Sequence, residues 1–360
     1  METQELATRR SALVSKFGPA KIDALIVSSA PNIRYLTGFT GSNGLVLAAP
    51  SATVLFTDPR YAIQATQQTD CKVVVARGPL YPALMRAAAR RRLRRVGFEK
   101  ARLGYDAFEH LRELLPLGAS LHGVGGMVES LRMVKSPAEI ERIRRSVAVN
   151  SSAFDAALKI VQPGMKESDL AAEIEYRMRL LGAERPAFDS IVAAGARSAL
   201  PHAEPGTDTL GNNRLLLIDI GATVDGYASD MTRVAFLGKP GRKIRSLYQA
   251  VLEAQLAGID AVGPGVSAGK VDAAARRVLR AKGLDKAFVH STGHGLGLEI
   301  HEPPRLGKGD STALEAGMVI TVEPGAYLEG FGGVRIEDTV VVTSSGCEVL
   351  TPTSKELFLL

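Results

Sequence analysis

Two stretches of this chain are variants of one another. VQPGMKESDLAAEIEYRMRLLGA (161–183) and VGPGVSAGKVDAAARRVLRAKGL (262–284) share a Pro-Gly pair, an apolar residue and then a helix-period pattern. Further along, LLIDIG (216–221) is answered by VITVEPG (319–325), and GYASDMTRV (226–234) by GGVRIEDTVVV (332–342). Matched segments in one order, at slowly widening spacing, define an internal duplication. Each half reads as helices followed by a β-hairpin, and two such halves pack about a pseudo-twofold axis.

The duplication places acids where acids are costly. The apolar run Leu215–Ile218 breaks off at Asp219, and Asp230 interrupts the next strand-like segment. In the second half Glu323 answers Asp219 and Glu337 answers Asp230. A buried carboxylate is unfavourable unless something neutralises it. Any one of these acids alone could sit on a surface loop. Four at repeat-related positions after apolar strands would converge at the centre of a sheet, where they cannot all stay ionised unaided. Two divalent cations balance four negative charges. Carboxylate oxygens favour hard or borderline ions, and one added imidazole tilts the choice toward Mn²⁺ or Co²⁺ rather than Mg²⁺, with Zn²⁺ less favoured.

Of the six histidines, SALPHAEP holds His202 and VHSTGHGLGLEIHE holds His290, His294 and His301. The glycines around His294 allow close backbone approach. GHGLGLE is a poor dinucleotide fingerprint, since no helix start or ribose-binding acid follows at the required distance. His290 and His294 are four apart, as on a zinc-binding helix, but the Ser-Thr-Gly between them disfavours helix. His110 and His122 read as structural.

The first third alternates strands (23–29, 44–49, 53–58, 72–76) with helices (60–68, 81–95), the pattern of an α/β domain. The chain loosens near Gly123–Gly126. Ser136, Pro137 and Glu139 then form a capping-box signature for a new helix. The expected domains are 1–126 and 127–360. A hydrophobic fraction of 46% and a charged fraction of 23% are ordinary for a globular protein. The net charge of +6 is matched by Arg86, Arg90, Arg91, Arg92, Arg94 and Arg95 alone, which read as the solvated face of a helix. No aromatic residues interleave them for base stacking, so nucleic acid is not an expected partner. No apolar run is long enough to span a membrane, and the N-terminus lacks a signal-peptide pattern. Cys71 and Cys347 fit no metal or redox spacing. A cytoplasmic setting is expected.

Taken together, the motifs resemble the pita-bread metallopeptidases, specifically the Xaa-Pro aminopeptidase and Xaa-Pro dipeptidase (prolidase) branch. NIRYLTGFTGSNG (32–44) and TDPRY (57–61) look like the creatinase-type N-terminal domain. FDSIVAAGARSALPHAEP (188–205), DIGATVDGYASDMTR (219–233), GHGLGLEIHE (293–302), VEPGAY (322–327) and GGVRIEDTV (332–340) look like the catalytic domain. The implied fold is an α/β creatinase-like N-terminal domain followed by an α+β pita-bread catalytic domain with an internal pseudo-twofold repeat.

The resemblance also implies roles. Asp219, Asp230, His294, Glu323 and Glu337 would bind two divalent metal ions per subunit, Mn²⁺ foremost. His202 and His301 would contact substrate and the tetrahedral intermediate, His290 would lie near the leaving group, and Arg335 would prop a liganding aspartate. Glu323, beside the metal-activated water, would shuttle the proton. Substrates would be short peptides with proline second, whose scissile amide has no N–H for a peptidase that reads strands. A homodimer is implied as well. A methionine aminopeptidase would not need the N-terminal domain, and a creatinase would lack the full ligand set. A catalytically inactive pita-bread module that binds partners is the remaining alternative. Dipeptides and longer peptides stay open as substrates, with the chain's short length and near-absence of insertions leaning toward an aminopeptidase-like open cleft.

Overall fold

The structure, a computed structural model, describes residues 3–360. The chain divides into two compact units at Arg132/Met133. The first holds α1 (Thr3–Ser15), α2 (Phe17–Ala20), β1 (Ala24–Val27), α3 (Ala30–Thr37), β2 (Gly44–Ala49), β3 (Ala52–Thr57), α4 (Ala62–Gln68), β4 (Lys72–Val75), α5 (Leu80–Arg90), β5 (Arg95–Glu99), α6 (Tyr105–Glu113), β6 (Ser120–Val124) and α7 (Glu129–Arg132). Its six strands form one mixed sheet in the order β4-β3-β2-β1-β5-β6. All four residues of β1 are buried, as a central strand covered on both faces requires. The unit continues past the Gly123–Gly126 loop because α7 packs back on it. Tyr35 donates its hydroxyl to the Leu131 carbonyl at 3.2 Å, and Arg132 donates to Asn32 Oδ1 at 2.6 Å.

The basic stretch departs from the helix expected over 81–95. Helix α5 stops at Arg90, Arg92 adopts a left-handed φ of 56°, and Arg95 opens β5. The physical reason is tertiary. Val96 and Gly97 are buried between β1 and β6, and that burial outweighs the helix propensity of the Ala/Arg run. Five of the six arginines are exposed, the exception being the partly buried Arg91.

The second unit opens with α8 (Pro137–Leu158), where both capping-box bonds between Ser136 and Glu139 are present and Pro137 occupies the first turn. Then come α9 (Glu167–Leu180), β7 (Arg185–Pro186), β8 (Ile191–Ala194), β9 (Arg214–Ile220), β10 (Ala222–Val224), β11 (Tyr227–Ala228), β12 (Met231–Leu237), α10 (Arg242–Asp260) and α11 (Ala268–Ala281). The remaining strands are β13 (Gly293–Gly295), β14 (Glu302–Leu306), β15 (Val319–Val322), β16 (Gly325–Leu328), β17 (Gly332–Arg335), β18 (Asp338–Val342), β19 (Cys347–Val349) and β20 (Phe358–Leu359).

The duplication is visible in this order. In each half, two helices precede an outer hairpin (β9/β12, then β15/β18) whose tip is a smaller hairpin (β10/β11, then β16/β17). The outer hairpins lie in separate hydrogen-bonded sheets, β20-β12-β9-β8 and β14-β13-β15-β18-β19, rather than in one. They meet where the Glu337 N–H donates to the Thr232 carbonyl at 3.2 Å. Alternation along β9 sends Leu216, Ile218 and Ile220 to a core with α8 and α9. Leu215 and Leu217 go to a core with α10, α11 and β17. Asp219 shares the second face and so looks toward the other half.

Arg233 of β12 has no exposed surface and locks this junction. It donates to the Glu337 carbonyl (2.5 Å), Asp338 Oδ1 (2.7 Å) and the carbonyls of Thr353 and Ser354 (both 2.8 Å). Among the described residues, no helix is long and apolar enough to cross a membrane.

Candidate metal centre

All four acids stand where an outer hairpin passes into its tip. Asp219 is next to last in β9, Asp230 immediately precedes β12, Glu323 immediately follows β15 and Glu337 immediately precedes β18. Asp230, Glu323 and Glu337 lie just outside the paired strands, whereas Asp219 is still paired with Thr232 and Ile191 one residue before β9 ends. Asp219, Asp230 and Glu337 are buried. His294 comes from β13, which lies against β15 so closely that a Cβ on Gly293 would stand 2.0 Å from the Thr321 carbonyl oxygen. Glycine is the residue that permits this approach.

His294 Nε2 lies 3.5 Å from Asp230 Oδ2 and 3.3 Å from Glu323 Oε1. Its Nδ1 is 3.0 Å from the Gly295 carbonyl, which can only accept, so Nδ1 carries a proton and Nε2 points at the carboxylates. One ligand atom each from Asp230, His294 and Glu337 lie within 4.8 Å of one another. Thr232 donates to Glu337 Oε2 at 2.8 Å, and Thr321 to Glu323 Oε1 at 3.1 Å. Arg335 donates to Asp219 Oδ2 at 2.6 Å and to the Tyr327 hydroxyl at 2.6 Å.

Protein groups leave part of this cluster unanswered. Asp219 Oδ1 and Glu337 Oε1 are buried with no hydrogen-bond partner. Burial pushes the Asp230 carboxyl up to about 7, against the hydrogen bond from His294. Burial and the neighbouring carboxylates raise Glu337 well above the usual range. For Glu323 burial is outweighed by its hydrogen bond to His294, and its carboxyl falls to about 2. His294 resists burial through its bonds to Asp230 and Glu323 and is raised well above an ordinary imidazole. Two orphaned carboxylate oxygens beside an Nε2 aimed at acids fit divalent cations, which answer both anomalies at once.

The centre forms the floor of a cavity of about 940 Å³. His202 and His301 are exposed on its wall, and the His301 ring meets that of His294 edge-on at 4.4 Å. His290 also lines the cavity, but both its ring nitrogens are engaged. Nδ1 lies 2.8 Å from the Ser291 carbonyl and Nε2 lies 2.8 Å from the Tyr327 hydroxyl. The carbonyl makes Nδ1 the donor, so Nε2 accepts from Tyr327, which in turn accepts from Arg335. Burial lowers the His290 imidazole, in keeping with a neutral ring. Thr232, Thr321 and Tyr327 were not singled out in the sequence. Thr232 and Thr321 differ from the strand threonines around them only through pairings that the sequence does not display.

A sequence profile of metallopeptidase family M24 matches residues 141–344. The chain belongs to this family. A second profile, the creatinase/prolidase N-terminal domain, matches residues 9–134. The Xaa-Pro dipeptidase of Pyrococcus furiosus is 36% identical over 97% of this chain and 99% of that protein. A solved Xaa-Pro dipeptidase from Bacillus anthracis superposes with a TM-score of 0.96 at 37% identity, covering 99% of this chain and all of the other. The X-Pro aminopeptidase of Thermotoga maritima gives 0.91 at 35% identity, over 98% of this chain and 100% of that one. Membership in this family implies divalent metal ions, and Asp230, His294 and Glu337 form a group that could hold one.

Proposed function

We propose that this M24 protein hydrolyses the peptide bond between an N-terminal residue and a following proline. The observation that carries this reading is the four-acid, one-histidine cluster at the floor of a peptide-sized cavity, in a chain whose full-length relatives are named for Xaa-Pro cleavage. Asp219, Asp230, His294, Glu323 and Glu337 would hold two divalent ions, with Mn²⁺ the best match to this donor set and Co²⁺ next. Bound there, the ions supply a Lewis acid for the scissile carbonyl and a water of lowered pKa.

The chain's own residues do the rest. The Glu323 carboxylate, ionised at neutral pH, accepts the proton and returns it to the departing proline nitrogen. His202 and His301, exposed on the wall, reach the substrate carbonyl and steady its developing charge. Phe188, Ile191 and Ile300 give the pyrrolidine ring an apolar surface. Arg335 fixes Asp219, and its second arm fixes Tyr327 against His290.

The lining contains two cations, and Arg335 is committed to Asp219 and Tyr327. The other, Arg305, is exposed and forms no salt bridge among the described residues. A dipeptide's terminal carboxylate would meet it, which favours dipeptides over longer peptides. We further place the protein in the cytoplasm as a homodimer; free Cys71 and Cys347 suit a reducing compartment. No observation favours an inactive binding module.

The test is hydrolysis of Ala-Pro beside Ala-Pro-Ala after Mn²⁺ or Co²⁺ loading, with chelator controls. Faster release from Ala-Pro assigns the dipeptidase, and faster release from Ala-Pro-Ala the aminopeptidase. No cleavage of either, with metal shown to be bound, refutes the proposal.

A further inference from the structure

Behind the centre, helix α11 carries Asp272 and Arg276. Four residues apart, they look like an ordinary helix-surface ion pair, with Nε to Oδ2 at 2.7 Å. Their surroundings are not those of a surface pair. The Asp272 side chain is 1% exposed and that of Arg276 14%. Both reach off the helix to the segment between Phe288 and Thr292. Asp272 Oδ1 accepts from the Thr292 hydroxyl at 2.8 Å and from its N–H at 3.2 Å. Arg276 donates to the carbonyls of Phe288 and His290, and its guanidinium stacks 4.2 Å from the Phe288 ring centroid.

That segment leads into the site at two points. His290 projects from it to the Tyr327 hydroxyl. The Thr292 carbonyl accepts the N–H of Glu323 at 2.7 Å. We propose that Asp272 and Arg276 are positioning residues, a clamp that sets the placement of His290 and Glu323 without touching substrate. The inference rests on the Xaa-Pro peptidase reading for its kinetic consequence, though not for its structural one.

The duplication supports the assignment. Aligned on Pro163-Gly164 and Pro264-Gly265, Arg276 occupies the position of Glu175 in the first half. Glu175 also grips the segment ahead of a site strand, accepting from the Ser190 hydroxyl at 2.9 Å. The residue after Ser190, Ile191, pairs with Asp219. The same helix position therefore grips the segment ahead of a site strand in both halves, by a carboxylate on Ser190 in one and by a guanidinium on the Phe288 and His290 carbonyls in the other. A carboxylate can only accept, so holding two backbone carbonyls requires a donor there, and the planar guanidinium reaches both.

The experiment compares wild type with Arg276→Met, Arg276→Lys and Asp272→Asn. Histidine-selective ¹⁵N spectra of the metal-free protein report the His290 tautomer, and kcat and KM for Ala-Pro are measured after Mn²⁺ loading. In Arg276→Met the Nδ1–H signature of His290 is expected to be lost while that of His294 persists. Metal content should be retained, with kcat lower by about tenfold to a hundredfold and KM changed far less. Arg276→Lys, keeping the charge but losing the planar fork, should fall between. Arg276→Met with an unchanged His290 signature, or with kcat within about twofold of wild type, overturns the inference. If Arg276→Met does not fold, Asp272→Asn carries the same test, since it removes the acceptor that holds Arg276 and keeps one for Thr292. If wild type cleaves no Xaa-Pro substrate while Arg276→Met shifts His290, the peptidase reading fails and the clamp stands.

Discussion

Lys135→Met isolates a buried charge pair that also supports the site. Lys135 Nζ lies 3.3 Å from Glu302 Oε2, and the two side chains are 1% and 3% exposed. Glu302 Oε1 accepts the Glu299 N–H at 3.0 Å, and a Cβ on Gly297 would stand 2.8 Å from the same oxygen. The loop that ends at His301 is thus wrapped around this carboxylate. Removing the ammonium breaks a buried ion pair from one side, a change that costs about 3–5 kcal/mol. For a unit of this size each kcal/mol moves Tm by about 2–4 °C, so the expected drop is roughly 6–20 °C. Loss of the Lys135 ammonium beside the buried carboxylate should raise the Glu302 pKa in the variant. The folded state then binds a proton that the unfolded chain releases, so the deficit is largest at pH 8 and shrinks as pH falls. Lys135→Met with Glu302→Leu removes both charges and should recover most of the loss. Calorimetry at pH 8 and pH 5.5 checks all three statements. A Lys135→Met protein melting within about 3 °C of wild type at pH 8, or a double variant as damaged as the single, refutes the reasoning.

Three other outcomes follow from the centre. Asp230→Ala should lose metal and activity together by elemental analysis and Ala-Pro turnover; full turnover in that variant would show the ligand assignment to be wrong. His202→Ala should keep its metal and lose rate, about a hundredfold if the imidazole acts on the substrate carbonyl, as a kcat measurement would show. Without metal, Asp230 (raised to about 7 from 3.8) and Glu337 (raised well above 4.5) bind protons in the folded state that the unfolded chain releases. Metal-free protein should therefore gain stability as pH falls from about 7 toward 4.5 and lose it as pH rises, and Mn²⁺ should flatten that slope; thermal melts with and without chelator decide it.

The site was legible where its chemistry repeats along the chain. Asp219, Asp230, Glu323 and Glu337 announce themselves as acids ending or interrupting apolar strands, twice over, and the Ser136/Glu139 cap is written in four consecutive residues. What escaped depends on partners distant in sequence. Asp272 and Arg276 carry the spacing of a solvated helix pair, and only the fold turns them toward Thr292 and His290. Lys135 and Glu302 are too far apart in sequence for spacing to connect them. In the first unit, Ala- and Arg-rich sequence favoured helix through Arg95, whereas two neighbouring strands claimed Val96 and Gly97.

The fully enclosed Arg233 gives the tail a role in chemistry it never touches. One guanidinium is bolted both to the peptide unit of Glu337 and to those of Thr353 and Ser354, so the last stretch works as a strap across the back of the acid-bearing strands. Slack introduced between Val349 and Thr353 would be felt as a shifted carboxylate at the floor of the cavity.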